Sequence, residues 1–355
     1  MTGDSATTPP GVWARDEIEH VVACPACAAG DSRPFYGGVC DPLRPEDAGQ
    51  WDLSRCDACG AAYLSPRPVP DAIGRAYDVY FTHEPPPDPA PPGLLPAIRR
   101  AGVNGHLNRH LGYHGRPSSR LLSWLVRLVP GGRAHAQRTV RSVPAPPPGG
   151  CILDVGCANG AYLVAMRARG WRVQGVETDP QAITFARAAG IEVVEGVLDA
   201  RIADASVDAV TLGHVIEHVH DPLALLLECR RVLRPGGTIW VATPNLDASG
   251  RRVFGEDYVQ LDAPRHLVLF TRSALRALLA RAGFTDVHEP PVVPHARAWT
   301  FPRSAAIRAG LGSHPDPLPP LPLRLRLRAA LADLRALVTT SRTEELVLIA
   351  RKPGV

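Results

Sequence analysis

Lysine is all but absent from this chain: Lys352 is the only one in 355 residues, and arginine carries the rest of the positive charge. That skew fits a GC-rich coding sequence better than a dedicated binding surface. With 39 basic and 35 acidic residues the formal net charge is only +4, which does not require a nucleic-acid partner. No apolar run approaches the roughly 18–20 residues of a membrane span. Residues 1–20 have neither a basic flank nor an apolar stretch, so no export signal is expected and the cytoplasm is the expected location. Internal repeats are absent. A hydrophobic share of 45% against 21% charged excludes both a mostly disordered chain and a membrane-embedded one.

Glycine and proline are plentiful, at 32 and 37 residues, and the prolines divide the chain. Residues 1–81 hold two Cys-x-x-Cys pairs and read as one domain. Residues 82–96 (THEPPPDPAPPGLLP) read as a stiff, extended connector. Residues 97–143 are rich in arginine and histidine, and the apolar stripe at 121–129 predicts one amphipathic helix. A second linker, PAPPPGG, closes the 82–150 region. From Cys151 short β-rich runs alternate with helical patterns up to a last strand at EELVLIARK. That alternation predicts right-handed crossovers and a doubly wound, mostly parallel α/β sheet across 151–355.

A glycine loop joins the first strand of this alternation to its first helix: Leu153-Asp154-Val155-Gly156-Cys157-Ala158-Asn159-Gly160. Glycines let the chain turn sharply and let a ligand approach backbone amides at a helix N-terminus. The loop does not spell the dinucleotide fingerprint G-x-G-x-x-G. A carboxylate at Asp154 would repel a pyrophosphate but suits a ligand bearing an ammonium group. Glu177 closes the second strand, where a carboxylate can take both hydroxyls of a ribose. Five blocks in register (ILDVGCANG, VETDP, VDAVTLGHVIEHVHDP, RRVLRPGGTIWVATPN and PRHLVLFTRSALRALLARAGF) resemble the class I S-adenosylmethionine-dependent methyltransferases over residues 151–352. The resemblance implies a Rossmann-like sheet of seven strands. It implies that Asp154, Gly156, Ala158 and Gly160 line the methionine end of the cofactor and Glu177 its ribose. Thr178, Leu198 and Asp199 would flank the adenine, and His214 would lie near the sulfonium. Ala158 departs from the family's middle glycine and narrows the loop.

His214, Glu217 and His218 match the spacing of an inverted zinc-protease motif. That motif needs a long helix, whereas this run starts at the end of a buried strand and meets His220-Asp221-Pro222 at once. Ubiquinone-biosynthesis O-methyltransferases and small-RNA 3′-end methyltransferases resemble this chain with a Glu-x-x-Glu-His run and a later His that hold a divalent metal. Here His214 replaces the first Glu, Glu217 and His218 remain, and His266 is the later His, so a second divalent metal at Glu217, His218 and His266 is one expectation. The other is that Glu217 and His218 brace the loop while His266, or His218, takes the proton of an acceptor hydroxyl. Arg265 could pair with the substrate or with Asp262, and Tyr258 reads as a lid residue.

Cys24, Cys27, Cys56 and Cys59 form two knuckles separated by 28 residues, the pattern of a tetrahedral structural zinc site. Cys40 has no partner. With the following YLSPRP this segment resembles the zinc-binding lead domain of sugar and natural-product tailoring methyltransferases, deoxysugar C-methyltransferases among them. The segment is acidic in places, which argues against a nucleic-acid zinc ribbon. Residues 291–342 form an insertion before the last strand. Within it, LPLRLRLRAALADLRAL at 321–337 alternates apolar residues with arginine before turning helical. It reads as a cap over the substrate cleft, with peripheral membrane contact as the alternative. Together with 97–143 it would form a helical lid. The function expected is methyl transfer to a small-molecule acceptor, at a hydroxyl. C-methylation of a nucleotide-linked keto-sugar is the closest alternative, and a non-catalytic cofactor-binding scaffold the alternative of another class.

Overall fold

The computed structural model describes residues 13–44, 50–77 and 93–354. The amino-terminal segment holds β1 (Ile18–Glu19), β2 (Ser32–Cys40), β3 (Gln50–Cys56), β4 (Ala62–Leu64) and β5 (Arg67–Pro68), then a 3-10 turn at Ile73–Tyr77. Three helices follow, α1 (Leu94–Leu111), α2 (Arg120–Leu128) and α3 (Gly132–Arg138). The alternating region runs β6 (Cys151–Val155), α4 (Ala161–Arg167), β7 (Arg172–Glu177), α5 (Pro180–Ala188), β8 (Glu192–Glu195), β9 (Val207–Gly213), α6 (Pro222–Val232) and β10 (Leu233–Pro244). It ends with α7 (Ser249–Phe254), β11 (Val268–Leu269), α8 (Arg272–Arg281), β12 (Thr285–His288), α9 (Phe301–Arg308), α10 (Leu323–Ala336) and β13 (Glu345–Arg351).

The helix starts are written locally. Asp179 accepts from the backbone of Gln181 and Ala182 ahead of Pro180, Asp221 caps α6 ahead of Pro222, and Thr271 caps α8. Proline at the first helical position loses no hydrogen bond, so each Asp-Pro pair sets both the cap and the first turn. The seven-stranded sheet has the order β12-β13-β10-β9-β6-β7-β8. The β10-β9-β6-β7-β8 ladders are parallel, and β13 and β12 join antiparallel. The chain winds outward from β6 in one direction and returns to β9 for the other. The crevice at the carboxyl ends of β6 and β9 is therefore the switch point where such sheets bind ligands. Cys151–Val155 is buried at every position, as a central parallel strand requires.

Several expectations need correction. The 97–143 region holds three helices instead of one, and the apolar stripe of α2 faces solvent. Residues 82–92 of the first linker lie outside the described residues, and Leu94 already begins α1. Arg234-Pro235-Gly236-Gly237 is an irregularity inside β10 and not a stop before it. The alternating apolar–arginine run is helical from Leu323 onward. β12 was not foreseen.

The cysteine-bearing segment does not close on itself. Its sheet has the order β11-β4-β3-β2, so the fourth strand comes from Val268–Leu269. Ala62 pairs with Leu269 and Tyr63 with Val268, and the Leu64 amide donates to the Leu267 carbonyl at 3.0 Å. One hydrophobic core runs without a break from Trp51, Leu53 and Leu64 through Leu267 and Phe270 to Leu346 and Leu348. The other face of the large sheet is covered separately by α4, α5 and the α1–α3 region, through Leu107, Val140, Leu163 and Trp171.

Candidate functional site

The glycine loop leaves β6 with Gly156 and Gly160 at φ of 72° and 77°, a left-handed conformation that only glycine adopts without strain. A side chain at Gly156 would also come within 2.5 Å of Val215. Ala158 takes φ 46° and carries that strain itself. Its amide donates to Glu177 Oε2 at 2.7 Å, while the amides of Thr178 and Asp179 donate to Oε1 at 2.7 and 3.1 Å. Glu177 is thus locked at the end of β7, with lone-pair capacity left for a ribose hydroxyl. Thr178 is exposed beside it, and Leu198 is buried just beyond β8. Asp199 is held by the guanidinium of Arg201, at 2.9 and 3.0 Å, an arrangement that lowers its pKa.

Asp154 departs from the expectation of an open carboxylate. It is buried, and its Oδ1 accepts from Arg141 and, at 2.7 Å, from Thr211. Burial raises its pKa, against the pull of Arg141. Arg141 reaches in from beyond α3 and lies 3.8 Å from the ring centroid of Tyr162. The position expected to meet a ligand's amino-acid end is thus an Asp–Arg pair and not a lone carboxylate. Asp154 Oδ2 is a buried acceptor with no partner among the described residues. The locked Glu177, the amide-rich loop and this orphaned acceptor fit an S-adenosylmethionine-type ligand at the switch point.

The His214–His218 run leaves β9 through a 3-10 turn at Ile216–His218. Glu217 is fully buried. Its backbone carbonyl accepts from Leu267, its Oε2 accepts from Thr243 at 2.9 Å, and its Oε1 takes no hydrogen bond. Oε1 does lie 3.2 Å from Nδ1 of His214, whose Nε2 is 2.7 Å from Glu345. Burial pushes Glu217 up, but His214, His218 and His266 outweigh it and bring its pKa to about 2. The His214 side chain is 45% exposed, yet desolvation within the crevice pulls it down, and its two carboxylates overcome this and lift it to about 10. A raised folded-state pKa contributes stability fully present below the unfolded value of about 6.5, which is lost as pH rises through 10. Thermal melts should therefore show His214→Asn at a disadvantage near pH 6 that shrinks by pH 10; a constant gap would refute the charged pair.

His218 and His266 stack edge to face with centroids 4.7 Å apart. Nδ1 of His266 donates to the Gln260 carbonyl at 2.9 Å, leaving Nε2 as the basic nitrogen. Nδ1 of His218 lies 3.1 Å from the Arg265 carbonyl and 2.9 Å from the Tyr77 hydroxyl. Burial and the neighbouring His266 depress His218 to about 4, so it is neutral at physiological pH. One ligand atom from each of Glu217, His218 and His266 lies within 4.8 Å of the others.

Arg265 is completely buried and clamps three parts of the chain. It binds Asp41 through two bonds of 3.0 and 2.6 Å, Asp262 at 2.7 Å, and the Ala76 carbonyl. It is a tie between the cysteine segment and the loop that carries His266, not a surface group free to meet a substrate. Tyr258 is not a lid residue either: its buried hydroxyl donates to Glu344 at 2.7 Å. A cavity of about 280 Å³ opens beside this network, and His266, His214, Arg138, Glu345, Trp299 and His295 contribute to its wall. Tyr77, Glu345, Arg138 and Arg141 escaped the sequence reading. None sits in a motif; each arrives from a distant segment.

The four cysteines gather as expected. Cys24 and Cys59 sulfurs are 3.7 Å apart and Cys27 and Cys56 sulfurs 3.5 Å. A tetrahedral ion with bonds of about 2.3 Å needs sulfur separations of about 3.8 Å. The knuckles repeat one geometry: Cys24 donates to Ala29 and Cys56 to Ala61, with Ala28 and Gly60 left-handed.

Known proteins resemble part of this chain. A methyltransferase-domain family model matches residues 131–289. The ubiquinone biosynthesis O-methyltransferase of Xanthomonas campestris is 35% identical over 128 residues, 33% of this chain and 54% of that protein. That of Xanthomonas axonopodis is 34% identical over 167 residues, 42% of this chain and 70% of the relative. The chain thus spans about half the length of the first of these relatives. A solved S-adenosylmethionine-dependent methyltransferase from Mesorhizobium loti aligns at 20% identity and a TM-score of 0.41, covering 61% of this chain and 97% of that one. With the parallel sheet, the glycine loop and the locked Glu177, the relatives leave one assignment: the chain belongs to the class I S-adenosylmethionine-dependent methyltransferases.

Proposed function

We propose that this protein transfers a methyl group from S-adenosylmethionine to a hydroxyl of a small-molecule acceptor: a sugar, a glycan or another natural product. When bound, S-adenosylmethionine supplies an electrophilic methyl on its sulfonium. Gly156, Ala158, Gly160, Glu177, Thr178, Leu198, Asp199 and His214 would hold it along the carboxyl ends of the strands, with Asp154 acting through Arg141. The reading rests on one observation. Of the three catalytic candidates, His266 alone lines the cavity, and its Nδ1 is fixed on the Gln260 carbonyl, so Nε2 is left to accept the acceptor's proton. A volume near 280 Å³ is at the small end for ligand sites, which favours one ring over a polymer. The four cysteines would hold a structural zinc that keeps 1–81 folded against the 151–355 domain, while 82–150 and 291–342 select the acceptor.

The cluster of Glu217, His218 and His266, with one ligand atom of each within 4.8 Å of the others, favours a second reading in which a divalent ion binds there and lowers the hydroxyl pKa. The test is purified protein with methyl-labelled S-adenosylmethionine and source-cell extract, fractionated into small molecules, lipids, protein and nucleic acid. Label in small molecules or lipids supports the proposal, and label in macromolecules overturns the acceptor class. A rate that requires added magnesium favours the second reading. Deuterium entering the acceptor from heavy water without S-adenosylmethionine would mark C-methylation instead.

A further inference from the structure

Helix α2 is packed the wrong way round for a buried amphipathic helix. Its small face, with Ser123 and Val126, lies against Gly102 and Gly105 of α1, where an added Cβ would meet Val126 at 3.1 Å and the Ser119 carbonyl at 2.4 Å. Its apolar stripe, Leu121, Trp124, Leu125, Leu128 and Val129, faces outward, with Leu121 72% and Trp124 59% exposed. These positions follow i, i+3, i+4, i+7, i+8, one continuous helical face. Helix α10 repeats the arrangement: Leu325, Ala329 and Ala332 face in, while Leu323, Leu327, Leu331 and Leu334 are exposed. Leu337, just past α10, packs over the Gly131 turn between α2 and α3, so the two stripes approach each other there.

The charge around these stripes has one sign. Residues 93–150 contain nine arginines and no aspartate or glutamate. On α10, Arg324, Arg328 and Arg335 are exposed, while Asp333 is turned inward to accept from the backbone of Ala296 and Arg297. We propose that the outer faces of α2 and α10 form one docking surface for an anionic lipid bilayer. Leucines and Trp124 would enter the headgroup–acyl boundary and the arginines would meet lipid phosphates. A second copy of the chain is a poorer occupant, because a two-fold contact sets the patch on itself and opposes the same arginines. No helix among the described residues is long and apolar enough to cross a membrane, so the contact is peripheral. The surface borders the cavity on two sides: α3, continuing from α2, supplies Arg138, and α10 packs on the Ala296–Thr300 turn that carries Trp299.

The test is co-sedimentation of the full chain with phosphatidylcholine vesicles, with and without phosphatidylglycerol, at low and high salt. Binding should require the anionic lipid and weaken with salt. Arg120→Glu with Arg127→Glu should reduce partitioning at least tenfold, at roughly 1 kcal/mol per charge. Trp124→Ala should reduce it several-fold, while both variants keep S-adenosylmethionine affinity, which reports that they fold. Equal binding to neutral vesicles, or none to anionic ones, overturns the proposal. So does a stable wild-type dimer in solution that Leu128→Asp dissociates.

Discussion

Cys56→Ser should cost the protein the zinc proposed for its four cysteines and, with it, methyl transfer, while S-adenosylmethionine still binds within about twofold. A structural zinc contributes on the order of 10–16 kcal/mol to a small domain, as much as the 5–15 kcal/mol by which most domains are stable. Losing it should unfold β2–β4. The consequence reaches the reaction because β4 pairs with Val268–Leu269, and Leu267 of the same segment hydrogen-bonds to the backbone of both Leu64 and Glu217. Asp41 and the Ala76 carbonyl would also leave Arg265, whose own carbonyl positions His218. The helix that follows the glycine loop packs on the opposite core through Leu163, as does Val193 of β8, so the cofactor end should survive. Metal content by atomic absorption, cofactor affinity by calorimetry and turnover with labelled methyl would read the three effects separately. A zinc-free variant with wild-type kcat would sink the coupling.

His266→Asn should lower kcat by about 10²–10⁴-fold, the usual worth of a positioned general base. Asparagine has the shape to keep a donor on the Gln260 carbonyl, so the loop should hold and the loss should fall on proton removal. Cofactor affinity and melting temperature should change little. The drop should shrink for acceptors with more acidic hydroxyls, which need less help from a base. An unchanged kcat would remove His266 from the mechanism and leave the alignment of acceptor and cofactor as the whole of the catalysis.

What could be read in the sequence was local. The glycine loop, the Asp-Pro caps and the two cysteine knuckles each need only a few adjacent residues, and their backbone requirements select glycine, aspartate, proline and cysteine. The strand–helix alternation is likewise a matter of period. For Arg265 only the pairing with Asp262, three residues earlier, was legible. Its isolation from water depends on Asp41, which lies more than two hundred positions earlier, and on a turn ending at Tyr77. The same holds for Glu345 beside His214 and Arg141 against Asp154. In α2 the period was legible but the facing was not: Gly102 and Gly105 let the two helices approach through their small residues, and that choice turned the leucines outward.

The borrowed strand β11 also orders events during synthesis. Ala62 leaves the ribosome about two hundred residues before its partner Leu269 exists. At bacterial-like elongation rates of about 5–20 residues per second, the edge of β4 stays unpaired for roughly 10–40 s. An open edge is a template for pairing with other nascent chains. Over that interval the segment has its β2–β3–β4 ladders and the two knuckles, and the zinc proposed for the knuckles would have to load early to stabilise it. Cells short of zinc should accumulate this protein as aggregate, not as inactive monomer.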